Sequence, residues 1–161
     1  MVIVVDVVCT QYIMPDVVKD WANRLGDPKR MYYFVRDKIK YIDDPFDVWQ
    51  SPKLTLELMG GDCEDKAILL TSMLIALGYD AWCRIGNVTF YGKVHGKIEK
   101  ESADHVWILL RDGPRWIELD PSCINCKFGQ TAFKINNLIM DFNNKIIYVH
   151  DPIKAKKYII K

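Results

Sequence analysis

Three histidines (His95, His105, His150) and five cysteines (Cys9, Cys63, Cys83, Cys123, Cys126) bound the nucleophilic and acid–base chemistry open to this chain of 161 residues. Cys63 has the setting that can activate a thiol. It follows Gly60-Gly61-Asp62 and leads into an apolar run from Ala67 to Leu77, which places Asp62 as a helix N-cap and Asp65 as its capping-box partner. Cys63 is then the first helical residue. There the unpaired backbone N–H groups and the positive end of the helix dipole favour thiolate over thiol and can hold a developing oxyanion. Glu64 and Asp65 oppose that activation, so a base partner is needed. The alternative is a small buried cysteine that only starts a core helix.

A hairpin supplies the partner. Arg111 to Pro114 separates two β-rich runs, and Asp112-Gly113 is a strong tight-turn signal. With that dipeptide as the tip, Arg111 pairs with Pro114, Leu110 with Arg115, and His105 falls opposite Asp120. Directly opposed side chains share a face with Cβ atoms roughly 4.5–5.5 Å apart, within reach of an imidazole–carboxylate hydrogen bond. A one-residue slip would invert the faces and break the pair. A carboxylate orienting a histidine that faces a cysteine at a helix start is the arrangement of acyl transfer. Taken singly, His105 also reads as a core histidine and Asp120 as a turn residue before Pro121.

The elements that must carry these groups are legible in outline. Pro15 and Gly26 bracket one amphipathic helix, and Asp27-Pro28 opens a second that should reach Ile42 and stop before Asp43-Asp44-Pro45. Residues 43–61 read as loop with a short helical turn around Leu54 to Leu58. The run from Ala67 to Leu77 is apolar nearly all round, the mark of a buried central helix. Asp80 to Val88, His105 to Leu110 and Arg115 to Leu119 read as antiparallel strands. Val2 to Val8 reads as a strand and so does Lys145 to Val149, with a basic, solvated tail beyond. Helices first and strands later make an α+β fold in one domain, 1–161.

At this point the chain resembles the transglutaminase-like superfamily of papain-type thiol enzymes. The resemblance rests on Trp49-Gln-Ser-Pro52, Gly61-Asp-Cys-Glu-Asp-Lys-Ala67, Asp104-His-Val-Trp107 and Trp116-Ile-Glu-Leu-Asp-Pro121, in that order, with a core of about 31–122. It implies a papain/transglutaminase-like core, a buried helix with Cys63 at its N-terminus packed on an antiparallel sheet carrying His105 and Asp120. It also implies Cys63 as nucleophile, His105 as general base and acid, and Asp120 as orienting carboxylate. Trp49 and Gln50 become candidates for a further oxyanion donor. The Gly-Asp-Cys-Glu-Asp form is most similar to the bacterial and archaeal peptidase-type branch, some members of which bind calcium beside the cysteine, so Asp62, Glu64 and Asp65 are candidate calcium ligands; no cofactor is required.

The expected activity is that of a cysteine-dependent amide hydrolase, peptidase or isopeptidase, on a protein or peptide. The alternatives are transfer to an amine acceptor, as in a transglutaminase, or a non-catalytic interaction module on the same scaffold. Composition excludes other classes. A net charge of +1, from 22 basic and 21 acidic residues, provides no field for nucleic acid or anionic lipid. No signal peptide or membrane span is read, and an odd cysteine count in a chain large enough to bury a core points to thiols and a cytoplasmic setting. Cys123-Ile-Asn-Cys126 is a CxxC lacking a second ligand pair, open to zinc, a local disulfide or free thiols. His95 reads as a solvated loop residue and His150 as a turn residue.

Overall fold

The computed structural model describes residues 8–46, 48–94 and 97–160. The strand expected over Val2–Val8 and the loop residue His95 lie outside them, except for Val8, which bridges Ile160. Helices α1 (Pro15–Leu25), α2 (Pro28–Lys38) and α3 (Pro52–Leu58) each begin with proline, whose missing N–H costs nothing there. Asp27 caps α2 by accepting from the Arg30 N–H, and Ser51 caps α3 by accepting from Leu54. Helix α2 stops short of Ile42. Lys40–Tyr41 (β1) leaves it to pair in parallel with Gly60–Gly61 (β2), and the buried Lys66 ammonium takes the carbonyls of Arg36 and Ile39.

Helix α4 (Cys63–Ala76) is buried on every side from Asp65 to Leu74, in keeping with a composition apolar nearly all round from Ala67 onward. It packs on a five-stranded antiparallel sheet built from β3 (Ala81–Val94), β4 (Lys97–Asp112), β5 (Arg115–Leu119), β6 (Phe133–Phe142) and β7 (Ile147–Val149). The spatial order is β5-β4-β3-β6-β7. Cys83, Ile85, Val106, Ile108, Leu110, Leu119, Met140 and Phe142 face the helices, and the alternate residues face the other way. Strand β3 pairs with β4 along its whole length and runs past its predicted C-terminal end, while β4 runs past both of its predicted ends. Strand β6, mostly polar from Lys134 to Asn137 and largely apolar from Leu138 to Phe142, pairs with the far edge of β3. The expected basic tail is helix α5 (Pro152–Ile159), capped by Asp151 and docked through Ala155 and Tyr158.

The β4–β5 register differs from the expected one. Asp112 pairs with Arg115 and Leu109 with Glu118, so the tip is Gly113-Pro114 rather than Asp112-Gly113. Gly113 takes the positive φ of +60° required at the first central position, and the proline ring accepts the second. The shift moves each partner by two residues, which leaves every side chain on its face.

Candidate active site

Because β5 ends at Leu119, opposite Ile108, neither His105 nor Asp120 has a direct ladder partner across this hairpin. Asp120 reaches His105 as a diagonal neighbour on the shared face. Its Oδ2 lies 2.9 Å from His105 Nε2, and both side chains are buried. The Asp120 loop is held from several directions. Its Oδ1 accepts the Ser122 hydroxyl at 2.6 Å and the Ser122 N–H, and its carbonyl accepts the Cys123 N–H and the Tyr32 hydroxyl. The His105 ring stacks on Trp107 and meets Phe90 and Phe133 edge-on, so aromatic packing fixes its plane.

Cys63 lies at the N-terminus of α4, with the capping box of Asp62 and Asp65 formed as the sequence requires. It lines one cleft of about 290 Å³ with His105, Glu64, Asp104 and, from α5, Lys157 and Tyr158. Beyond the end of β5 the edge of β4 is uncovered, and the Val106 N–H is directed at the Cys63 sulfur. The thiol itself donates to Glu64 Oε2 at 3.4 Å and makes no hydrogen bond to the imidazole. Burial first, then the Glu64 and Asp62 charges, push it well above the usual thiol range, against the lowering by Val106. That direction runs against the activation that its helix-start position favours. Cys9 and Cys83 are fully buried and pushed up to about 12, which leaves Cys63 as the one free cysteine within reach of solvent.

Contacts made across the fold decide four readings of the surrounding residues. Gln50 spends its amide Nε2 on Thr55 Oγ1 and the Gly60 carbonyl, both at 3.0 Å, so it braces β2 instead of serving an oxyanion. Trp49 is buried against Phe142 and Tyr12 and does not line the cleft. Cys123 and Cys126 are joined in a disulfide rather than set as zinc ligands, because the turn from Cys123 to Cys126 brings their Cα atoms to 5.3 Å. His150 is not a bare turn residue, since its Nε2 meets Asp141 at 2.9 Å.

Calcium does not fit the acidic trio as it stands. Both Asp65 oxygens accept backbone N–H groups, from Gln50 and Asp62, and one Asp62 oxygen accepts from Asp65. Among the described residues no group of three or more His, Cys, Asp or Glu side chains is placed to share an ion, so no step is routed through one. Buried Asp65 is raised to about 7 by desolvation, with Asp62 adding to it. Lys66 is the residue that motif reading passed over. Its charge is one turn behind Cys63, closing α2, and burial lowers it to about 8.

A helix-borne cysteine packed on an antiparallel sheet that carries histidine and aspartate defines a papain-type, transglutaminase-like fold. The chain belongs to the CEP76 peptidase-like domain family, whose model matches residues 47–149. Among solved structures, a candidate cysteine protease from Cytophaga hutchinsonii shares the fold with a TM-score of 0.56 at 15% identity over 87% of this chain. The chain spans about half of that protein, 52% of its length. LapG of Legionella pneumophila matches with a TM-score of 0.51 at 17% identity, over 91% of this chain and 93% of its own. Its calcium-bound form gives 0.49 at the same identity, over 86% and 88%. No curated protein sequence matches. Among the described residues no helix is long and apolar enough to cross a membrane.

Proposed function

We propose that this chain is a cysteine-dependent amide hydrolase acting on a protein or peptide, with Cys63 as nucleophile, His105 as base and acid, and Asp120 as the group that orients His105. The observation that carries the reading is the buried 2.9 Å contact of His105 Nε2 with Asp120, made by a histidine that shares its cleft with Cys63. With the Nε2 proton donated to Asp120, Nδ1 keeps its lone pair for the thiol. In the proposed reaction the Cys63 side chain turns from Glu64 towards His105, and its proton passes to Nδ1. The sulfur then attacks the amide carbon, and the oxyanion meets N–H groups at the start of α4. The C–N bond breaks as His105 returns the proton to the leaving amine, giving a thioester on Cys63. Water, deprotonated by His105, attacks that thioester and releases the carboxylic acid and the thiol.

The interaction-module reading is favoured by one observation, the Cys63 thiol bonded to Glu64 and not to His105. Peptide mixtures incubated with the chain, followed by mass spectrometry, separate the readings. New peptide termini that vanish with Cys63→Ala, while the circular dichroism spectrum is unchanged, are the expected result. Amine adducts on the acyl group would reassign the chain to transfer. A thiol-directed acyl trap that leaves Cys63 unmodified, with no peptide cleaved, would overturn the catalytic reading in favour of binding.

A further inference from the structure

The sheet face turned away from α4 carries a second concave site that shares no residue with the Cys63 cleft. It encloses about 380 Å³. Register builds it from all five strands. Leu109 stands opposite Trp82 on one side and Glu118 on the other, while Asp141 stands opposite Arg84 on one side and Tyr148 on the other. Trp82, Trp116 and Tyr148 form aromatic walls, and Trp116 and Tyr148 are 41% and 61% exposed, a large uncovered aromatic surface.

The floor is charged. Arg84 is clamped by Asp141, with Nε–Oδ1 at 2.8 Å and Nη2–Oδ2 at 3.0 Å, and meets Glu118 at 3.3 Å. One guanidinium therefore answers two carboxylates, and His150 donates its bond to the same Asp141. Asp80, at the rim, accepts from the Trp82 indole at 2.8 Å and adds a third carboxylate. Arg111 lies over the Trp116 ring at 5.2 Å, so this ring already receives a guanidinium. With Arg84 and Arg111 counted against Asp80, Glu118 and Asp141, one negative charge is left over beside three aromatic rings.

We infer that this face is a binding site for a cationic side chain, a lysine or arginine presented by a peptide segment of a protein partner. Aromatic faces attract an ammonium or guanidinium through the ring quadrupole, and do so at a partly exposed concave site such as this one. The surplus carboxylate charge favours a cation over a neutral or acidic group. An electrostatic preference of this kind is absent from the protein as a whole, whose net charge is only +1.

The test titrates Cys63→Ala protein, in which turnover plays no part, with a capped Gly-Arg-Gly-Lys-Gly peptide, read by tryptophan fluorescence and calorimetry. Saturable binding is expected, weakened at least five-fold by Trp116→Ala and by Glu118→Gln. Both changes sit on exposed or half-buried positions of an edge strand, and Asp141 keeps Arg84 paired in the second variant. Replacing arginine by citrulline and acetylating the lysine should weaken binding to the same degree. Equal affinity for the neutral peptide, preference for an acidic one, or indifference to both variants would overturn the inference. So would concentration-dependent self-association abolished by Trp116→Ala, which would assign the face to a second copy of the chain.

Discussion

Glu64 is the charged neighbour that raises the Cys63 thiol most. Its carboxylate accepts the Cys63 thiol proton and, after burial, is the largest influence raising that group. Glu64→Gln removes the charge and keeps the shape. The variant should alkylate with iodoacetamide several-fold faster at pH 7.5, and an unchanged rate-against-pH curve would show that Glu64 does not govern the thiol. Asp65 provides a pH dependence of the opposite kind from an ordinary surface acid. Its folded pKa is raised to about 7 from 3.8. The folded state therefore binds the proton more tightly, and the stability this contributes is full below pH 4 and lost as pH rises through 7. The stability of wild type minus that of Asp65→Asn should accordingly fall from pH 4 to pH 7, as read from urea midpoints; a rise with pH would refute the assignment.

At the scale of elements, the site depends on how closely β3 approaches its neighbours. Gly86 stands opposite His105 on β4, and a Cβ there would meet the Asn137 carbonyl and the Trp107 ring, each at 2.9 Å. The carbonyl belongs to a paired strand and cannot move alone. Gly86→Ala should then cost about 1–3 kcal/mol, the range for overpacking a filled site. It should also displace Trp107, on which His105 stacks, so turnover ought to fall further than stability alone explains. Differential scanning calorimetry and peptide cleavage measured on the same variant check both parts. The hairpin teaches a related lesson. Proline cannot pair in the ladder as Arg111's partner, and Gly113-Pro114 takes the tip because its φ values suit it. The His105–Asp120 contact survives the different register because a two-residue shift preserves faces.

Across the whole molecule, remote segments converge on the 120–126 loop. The Tyr32 hydroxyl, from α2, donates to the carbonyls of Asp120 and Cys126, and Arg36 donates to Cys126 as well. The Cys123–Cys126 disulfide closes that loop just past the Asp120 carboxylate. Cys123→Ser with Cys126→Ser should lower stability by about 2 kcal/mol, the loop-closure estimate for so short a ring. Looser control of Asp120 should also lower kcat more than KM. Equilibrium unfolding and cleavage kinetics on the double variant decide this, and an unchanged kcat would mean that Tyr32 and Ser122 hold Asp120 without help. Helix α5 closes the other side of the cleft, where Tyr158 donates to Asp104 at 2.6 Å and Lys157 pairs with it.

The sequence by itself determined the helix start at Cys63, the buried α4, the strands around His105 and Asp120, and the face those two residues share. Each follows from local rules: capping chemistry, a run apolar nearly all round, and the period-2 alternation of a strand. Only the tertiary structure decided which neighbours those residues meet. Gln50 bonds to Thr55 and Gly60, Trp49 stacks on Phe142, and Lys66 reaches the end of α2, all contacts made across the fold and invisible to spacing. The same holds for the raised thiol of Cys63. A dipole at a helix start is a local property, whereas the desolvation that outweighs it is set by everything packed around the cleft.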